Sequence, residues 1–337
     1  MLRRILAAAF LVLLGLALLL VAWPQLANLA RVDGFAQAVS LRGLAVAAAA
    51  VGIVALGFIV VLVVRARRFA ASIAVLLLAF CLVNLAVLST RGLGSIAFET
   101  AGESTVTVLS WNTLGDAPGA KAIAELAIES DAEIVTLPET TTATAKEVAA
   151  IMTAAGRPTQ ALTVFFDEVS KARSTSLLIS TDLGEYEIDE SLGNSRVLPT
   201  VIATPVDGTG PTIVSVHLVA PVRGEMDNWR ADLEWVASAC SGDNVIMAGD
   251  FNATLDHFGG LASKDGTTIG ACTDAASATD NAAVGTWPTS LPALLSSPID
   301  HVMQTDNWRV AGMRVIENQD GSGSDHRPVL AELVPAD

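Results

Sequence analysis

Three long apolar runs open the chain, and shorter apolar runs alternate with polar segments from residue 105 onward. The long runs cover residues 5–23, 44–64 and 70–88, and none of them contains an acidic or basic residue. Each is close to the roughly 20 residues that an α-helix needs to cross a bilayer, and a charge inside such a helix is costly. The pattern predicts three transmembrane helices, with a cleaved signal peptide as the alternative for the first run.

The rest of the chain has the pattern of a mixed α/β domain. Apolar residues at helical spacing predict helices over 121–130, 144–155 and 225–239. Runs rich in β-formers predict strands over 105–110, 133–137, 162–166, 176–180, 196–205, 212–217, 244–248, 299–304, 308–315 and 329–333. Many strands with few helices between them favour packed sheets flanked by helices, an α/β sandwich.

Charge divides the chain in the same way. The first 96 positions hold eight of the 20 basic residues and one of the 35 acidic residues, so their net charge is +7 and that of the remainder is −22. We therefore expect a membrane domain over residues 1–96 and an acidic domain over residues 97–337, joined by a linker at 89–104. Because nucleic-acid binders usually carry a basic stripe, the acidic domain disfavours a nucleic-acid partner without excluding one.

The placement of arginine predicts the location of the acidic domain. Five arginines precede the first apolar run or separate the second from the third, whereas three lie in loop 24–43 or after the third run. By the positive-inside rule, the chain is a multi-pass protein of the cell membrane with an extracytoplasmic acidic domain. Cys240 and Cys272 could then form a disulfide, with two reduced buried thiols as the alternative. The sequence does not determine an oligomeric state.

Six short polar motifs stand where apolar runs of the acidic domain end. In chain order they are SWNTLGD, LPET, SVHLVAP, MAGDFNAT, PIDHVM and GSDHRPVLAEL. They contain eight candidate site residues: Asn112, Glu139, His217, Asp250, Asn252, Asp300, Asp325 and His326. Carboxylates, amides and imidazoles brought by several strands to one sheet edge suit a hard divalent cation and a general base. This combination predicts phosphate-ester hydrolysis.

The types of ligand atom favour Mg²⁺ as the cofactor, with Mn²⁺ as the alternative. Mg²⁺ prefers a few carboxylate oxygens plus water, which Glu139 with Asp325 or Asn112 would supply. The chain has only four histidines, and none of them has a zinc-binding spacing. A histidine held by a carboxylate is a suitable base near neutral pH, with an effect of roughly 10²–10⁴-fold on rate.

The motif series resembles the endonuclease/exonuclease/phosphatase superfamily, which includes the pancreatic-type DNases, the exonuclease-type abasic-site endonucleases, the neutral sphingomyelinases and the inositol polyphosphate 5-phosphatases. The resemblance covers residues 105–333. A single GDFN or SDH is a weak signal, whereas six motifs in the family's order are a strong one. The resemblance implies the four-layer α/β sandwich of the DNase I-like fold, here in a membrane-anchored bacterial member.

The resemblance implies a role for each residue on the metal side of the site. Asn112 matches the first-strand asparagine that helps to hold metal and phosphate. Glu139 matches the metal-binding glutamate, although Pro138 stands where the family usually has glutamine. Asp325 matches a carboxylate beside the metal.

The resemblance also implies the residues that act on the phosphate. His217 matches a histidine that donates to a phosphoryl oxygen, and Asn252 matches an asparagine that binds one. Asp250 would orient or deprotonate the attacking water. His326 matches the catalytic histidine, and Asp300 would pair with it.

Four further polar residues near the motifs are expected to lie outside the chemistry. His257 and His301 stand beside aspartates, but we expect both to be structural. Arg196 and Arg327 are expected to be solvated at the surface, with contact to a substrate phosphate as the alternative.

The leading functional hypothesis is a Mg²⁺-dependent phosphodiesterase or phosphatase that acts on a lipid or small-molecule phosphate, because membrane spans place the site near lipid. A membrane-anchored extracellular nuclease is the second hypothesis, and a non-catalytic receptor that reuses the fold is the third. The apolar stretch 287–298 is a candidate lipid-contacting loop, with a core-facing loop as the equal alternative.

Overall fold

The computed structural model of the 337-residue chain describes residues 1–95, 97–99, 104–167, 169–264 and 266–336. The N-terminal part has helices α1 (Leu2–Ala22), α2 (Phe35–Ser40), α3 (Arg42–Leu62) and α4 (Arg67–Arg91). By length and composition, α1, α3 and α4 could each cross a membrane, in agreement with the predicted spans. The predicted linker 89–104 begins inside α4, and its residues 96 and 100–103 lie outside the described residues, as does the expected domain boundary at 96.

A short connector returns the chain from α1 to α3. Helix α1 ends before Pro24, because proline has no N–H and disfavours a helical conformation of the residue before it. A 3₁₀ turn over Pro24–Ala27 and then α2 follow, and only Leu41 separates α2 from α3. Arg42 Nη1 donates to the carbonyl oxygen of Ala22 at 2.9 Å, so α3 starts beside the end of α1.

The C-terminal part folds into two mixed six-stranded sheets. The first has the order β11-β12-β1-β2-β4-β3, and the second has the order β5-β6-β7-β8-β10-β9. The strands are β1 (Val106–Ser110), β2 (Ile134–Pro138), β3 (Thr159–Phe165), β4 (Ser174–Ser180), β5 (Tyr186–Ile188), β6 (Val201–Pro205), β7 (Thr212–His217), β8 (Val245–Asp250), β9 (Thr273–Asp274), β10 (Asp300–Gln304), β11 (Trp308–Val315) and β12 (Val329–Pro335). The helices are α5 (Gly119–Glu129), α6 (Thr142–Ala154), α7 (Met226–Ala239) and α8 (Ala275–Ala278).

The two sheets pack face to face and carry helices on their outer faces. Val108 and Ile134 of the first sheet share a buried cluster with Val201 and Val302 of the second. A second cluster packs α5 and α6 on the first sheet, and a third packs α7 on the second. Each fully buried aliphatic side chain stabilises the fold by about 1.5–3 kcal/mol. The fold is the four-layer sandwich expected from the sequence, with β5, β9 and α8 as elements that no pattern predicted.

Strand register brings the polar motifs to one end of the sandwich. In the second sheet, β7 runs parallel to β8 with His217 opposite Asp250, and β10 runs antiparallel to β8 with Asp300 opposite Asp250. Gly249 allows this approach: its φ is 149°, and a Cβ there would overlap the carbonyl oxygen of Val216 on β7.

A disulfide joins the end of α7 to the segment before β9. It links Cys240 and Cys272, whose Cα atoms lie 6.0 Å apart. Of the two alternatives that the sequence left open for these cysteines, the structure has the paired one. Cys81 of α4 is a free, buried cysteine.

Candidate active site

All eight candidate residues converge around a cavity of about 450 Å³ at the end of the sandwich that faces the N-terminal part. Six of them line it: Glu139, His217, Asp250, Asn252, Asp325 and His326. Asn112 and Asp300 are buried directly behind these six and bind them through hydrogen bonds. The motifs therefore form one site, as their strand-end positions predicted.

His326 and Asp300 form a buried dyad. His326 Nδ1 donates to Asp300 Oδ2 at 2.9 Å, which leaves Nε2 facing Asp250 Oδ2 at 3.8 Å. Burial disfavours the charged imidazole, but the carboxylates of Asp300 and Asp250 outweigh it and raise the pKa of His326 to about 10. Trp111 Nε1 donates to the His326 carbonyl oxygen at 2.9 Å and so fixes the backbone of this loop.

Asp250 lies at the centre of the site and accepts hydrogen bonds from two asparagines. Asn112 Nδ2 and Asn252 Nδ2 each donate to Oδ2 at 3.1 Å, and the Asn252 N–H donates to Oδ1 at 2.8 Å. Burial raises the pKa of Asp250, and the neighbouring Asp300 raises it further. The carboxylate can therefore take up a proton near neutral pH more readily than an exposed aspartate.

Glu139 and His217 form the opposite wall. Glu139 Oε1 accepts from Asn112 Nδ2 at 3.2 Å and lies 3.9 Å from His217 Nε2. Burial raises the pKa of Glu139 and lowers that of His217 to about 3. The imidazole of His217 is therefore neutral at physiological pH. Thr175 Oγ1 lies 3.4 Å from its Nδ1, and Nε2 faces the cavity side.

Asp325 is held by a tryptophan at the rim of the cavity. Its Oδ2 accepts from Trp287 Nε1 at 2.8 Å, whereas its Oδ1 has no hydrogen-bond partner within the described part of the chain. Trp287 belongs to the apolar stretch 287–298, and Ser297 of the same stretch also lines the cavity. Both ends of this stretch therefore contribute to the site, although the pattern alone did not distinguish it from a core-facing loop.

Residues 109–326 match the family model described as the Endonuclease/Exonuclease/phosphatase family. The match covers more than half of the chain and includes every candidate site residue. The chain belongs to the endonuclease/exonuclease/phosphatase family. Its members are metal-dependent phosphoesterases and nucleases, so this chain is a metal-dependent phosphoric ester hydrolase.

Solved structures of endonuclease/exonuclease/phosphatase proteins share the fold. One from Beutenbergia cavernae has 17% identity and a TM-score of 0.52, covering 69% of this chain and 72% of its own. One from Bacteroides thetaiotaomicron has 19% identity and a TM-score of 0.51, covering 70% and 100%. D. rerio TDP2 complexed with single strand DNA product has 17% identity and a TM-score of 0.52, covering 68% and 99%. No curated protein matches the chain.

The oxygen-rich donor set fits the divalent cation that the endonuclease/exonuclease/phosphatase family uses. Glu139 and Asp325 offer carboxylate oxygens at the cavity, and Asp325 Oδ1 is buried without a hydrogen-bond partner in the described residues. Asp250, Asp300 and His326 also bring one ligand atom each within 4.8 Å of one another. Within this second group, Asp300 Oδ2 already accepts a hydrogen bond from His326 Nδ1.

Two histidines and one arginine near the family motifs have structural contacts. His301 Nδ1 lies 2.7 Å from Asp274 Oδ2 of β9, the strand at the edge of the second sheet. His257 is also buried and contacts the N-terminal part. The expectation of a solvated Arg327 is wrong: it is buried, forms an ion pair with Asp320 at 2.6 Å and donates to backbone carbonyls. Arg196 is exposed, as expected.

The N-terminal part supplies cavity residues that sequence reasoning missed. Gln37, Ser40 and Leu41 line the cavity together with the family motifs. They precede the first motif by about 70 residues and stand between two predicted spans, so no local pattern associates them with the site. Their only signal in the sequence is that loop 24–43 and the end of the third span lie on the same side of a three-span protein.

Proposed function

We propose that the chain is a membrane-anchored, Mg²⁺-dependent phosphoesterase that hydrolyses a lipid or small-molecule phosphate ester. In this proposal, residues 1–96 form the membrane domain and residues 97–337 the catalytic domain. The observation that carries the proposal is the convergence of eight polar side chains from the two sheets on one cavity, which also borders the helices suited to span a membrane.

The metal side of the site consists of Glu139, Asp325 and Asn112. The two carboxylates would hold Mg²⁺, or Mn²⁺ in its place, and Asn112 would position Glu139 through its 3.2 Å hydrogen bond. A bound cation stabilises the negative charge that develops on the phosphoryl oxygens. It also offsets the repulsion among the four acids that surround His326, so the site depends on it electrostatically.

The other residues would bind the phosphate and move protons. His217 and Asn252 would donate to phosphoryl oxygens. The attacking water loses a proton to Asp250, forms a bond to phosphorus and displaces the alcohol, which takes a proton from the protonated His326 of the dyad. Asp250 Oδ2 and His326 Nε2 lie 3.8 Å apart, so a proton at this position can be bound by either group.

Two features support an extracytoplasmic catalytic domain. The disulfide between Cys240 and Cys272 is of a kind that persists in oxidising compartments. Of the three arginines on the catalytic side of the spans, Arg42 and Arg91 form ion pairs with Asp256. These two arginines therefore have a structural reason for their position. Without them, five arginines lie on the predicted cytoplasmic side of the spans and one, Arg31, lies on the catalytic side.

A nuclease is the second candidate, because a similar structure, D. rerio TDP2, is complexed with a single strand DNA product. The same fold and metal chemistry would serve a nucleic-acid phosphodiester. The net charge of −22 over residues 97–337 opposes this substrate, since a polyanion gains affinity mainly from basic side chains. We therefore rank it below the lipid or small-molecule ester.

The test uses the full-length chain in detergent micelles, freed of metal by chelation and then supplied with Mg²⁺, Mn²⁺ or Ca²⁺. Phosphatidic acid, phosphatidylglycerol, 4-nitrophenyl phosphate and plasmid DNA are offered separately. The metal-ligand variant Glu139→Gln is compared with Glu187→Gln, the same change at an exposed glutamate on β5.

We expect Mg²⁺-dependent hydrolysis of at least one lipid or small-molecule ester, its loss in Glu139→Gln, and its retention in Glu187→Gln. Faster cleavage of plasmid DNA than of every ester would establish the nuclease instead. Hydrolysis that is equal with and without metal, or equal in the two variants, would contradict the assignment of Glu139.

A further inference from the structure

The segment between the first two long helices is built into the catalytic core. Ala36 of α2 is fully buried in the hydrophobic cluster that packs α7 on the second sheet. The Thr254 N–H donates to His257 Nδ1 at 2.8 Å, so Nε2 carries the proton and donates to the Ala36 carbonyl oxygen at 3.2 Å. Gln37 Nε2 donates to the carbonyl oxygen of Pro221 at the cavity rim. Helix α2 is therefore a fixed wall of the active site.

A buried carboxylate fixes the position of α2 against the loop that follows Asp250. Asp256, six residues after Asp250, accepts from Arg42 Nε at 3.0 Å and Nη2 at 2.7 Å, and from Arg91 Nη1 at 2.8 Å. Gln25 Nε2 adds a fourth bond at 2.9 Å. Asp256 thus joins the first residue of α3 and the last residue of α4 to the loop that follows Asp250.

The wall places the cavity at the level where an apolar span begins. Leu41 lines the cavity and directly precedes Arg42, the first residue of α3. Gly43, one residue further, packs so closely on the catalytic domain that a Cβ there would overlap the Leu294 carbonyl oxygen. If α3 crosses the bilayer, the cavity opens at the membrane surface, beside the phosphates of the adjoining leaflet.

The cavity lining includes apolar side chains that phosphate chemistry does not need. Leu41, Leu114, Val222, Trp287 and Ile299 line the cavity together with the polar site residues. Leu114, Val222 and Trp287 are exposed despite their size. Apolar lining beside a few convergent polar groups is typical of a site for a ligand that has an apolar portion of its own.

We propose that the membrane segment selects the substrate: the enzyme acts on an amphiphilic phosphate ester, a lipid of the adjoining leaflet. The phosphate binds the polar residues of the cavity, and the carbons next to the head group contact Leu41 and Val222. This inference rests on the proposed phosphoesterase function and specifies its substrate class. Leu41 and Val222 are specificity-determining residues here, while the hydrolytic chemistry remains with the family motifs.

The test measures kcat/KM of the full-length chain in mixed micelles for phosphatidic acid and phosphatidylglycerol with two oleoyl chains, and for glycerol 3-phosphate and glycerophosphoglycerol, which have the same head groups and no acyl chains. The variants are Leu41→Asn, in the connector between α1 and α3, and Val222→Asn, in the catalytic domain. Their controls are Leu26→Asn, an exposed leucine of the same connector, and Val206→Asn, which matches Val222 in exposure (53% against 52%) but lies outside the cavity. Val222 is exposed, so Val222→Asn tests the inference even if Leu41→Asn does not fold.

We expect the wild type to prefer the oleoyl esters, and Val222→Asn and Leu41→Asn to lower their kcat/KM about tenfold, the effect of roughly two lost methylene contacts. The kcat/KM of the deacylated esters in every variant, and of the oleoyl esters in the two control variants, should change less than about threefold. Equal use of oleoyl and deacylated esters by the wild type, or an unchanged ratio between them in Val222→Asn, would overturn this inference and leave the phosphoesterase function intact. Absence of metal-dependent hydrolysis of any phosphate ester by the wild type would overturn both.

Discussion

At the scale of single residues, neighbouring groups hold the active site in place before any substrate binds. Glu139 follows directly on the end of β2, and Asn252 lies two residues beyond the end of β8. Both have left-handed conformations, with φ of 57° and 47°. Such conformations cost on the order of 1–3 kcal/mol for most residues and persist where the surroundings fix them. For Asn252 the fixing contacts are its bonds to Asp250 and to the Leu218 carbonyl oxygen.

Asp300 is expected to contribute to turnover through His326. Asp300→Asn keeps the shape but removes the negative charge that orients and stabilises the imidazolium, so kcat should fall roughly 10²–10⁴-fold. KM should change little, because Asp300 lies behind the cavity and does not line it. Steady-state kinetics with the ester that the wild type hydrolyses would measure both, with Asp306→Asn at an exposed aspartate as the control. Retention of wild-type kcat in Asp300→Asn would contradict the dyad.

Gly249 is expected to be irreplaceable for a backbone reason. Gly249→Ala would place a methyl group on the Val216 carbonyl oxygen at a φ that disfavours L-residues, so we expect a loss of about 1–3 kcal/mol. Thermal unfolding should show a Tm lower by several degrees. Gly259→Ala is the matched control, since a Cβ at Gly259 meets nothing within 4 Å. An equal Tm for the two variants would show that β7 and β8 can separate without cost.

At the scale of elements, the strand ends were predictable and the docked helix was not. Each motif follows an apolar run of its own strand, so the position of His217 or Asp250 depends on residues within about five positions. The contact between His257 and Ala36 spans 221 positions and is invisible to any local pattern. Arg327 was mistaken for a surface residue for the same reason, because its partners include the distant carbonyls of Gly285 and Leu291. The short elements β5, β9 and α8 carry too few residues for a period to be recognised.

The docking of α2 should weaken in mild acid. Burial lowers the pKa of His257 to about 4 in the folded chain, against about 6.5 when it is unfolded. Its contribution to stability is therefore complete above pH 6.5 and is lost as the pH falls toward 4, on the order of 2 kcal/mol by pH 5. Limited proteolysis of connector 24–41 between pH 7 and pH 5, at constant protease activity, would measure this. His257→Asn should show a flatter dependence, and an identical slope would exclude His257 as the cause.

At the scale of the whole molecule, three spans and one disulfide place the catalytic domain outside the cytoplasm in our proposal. A cysteine introduced at Val206, on an exposed turn of the sandwich, should react with a membrane-impermeant maleimide in intact cells. A cysteine introduced at Ala66, between α3 and α4, should react only after permeabilisation. Labelling in the reverse order would place the catalytic domain in the cytoplasm and would remove the argument from Cys240 and Cys272.

The ion pairs of Arg42 and Arg91 with Asp256 limit which membrane helices can replace the present ones during evolution. In a tethered enzyme whose anchor only limits diffusion, one anchor can be exchanged for another without effect on chemistry. Here an exchanged anchor would remove Arg42 and Arg91 and leave the Asp256 carboxylate buried without its cationic partners. It would also remove Leu41 from the cavity. Anchor and enzyme are therefore expected to be inherited as one unit, and to diverge together whenever the substrate changes.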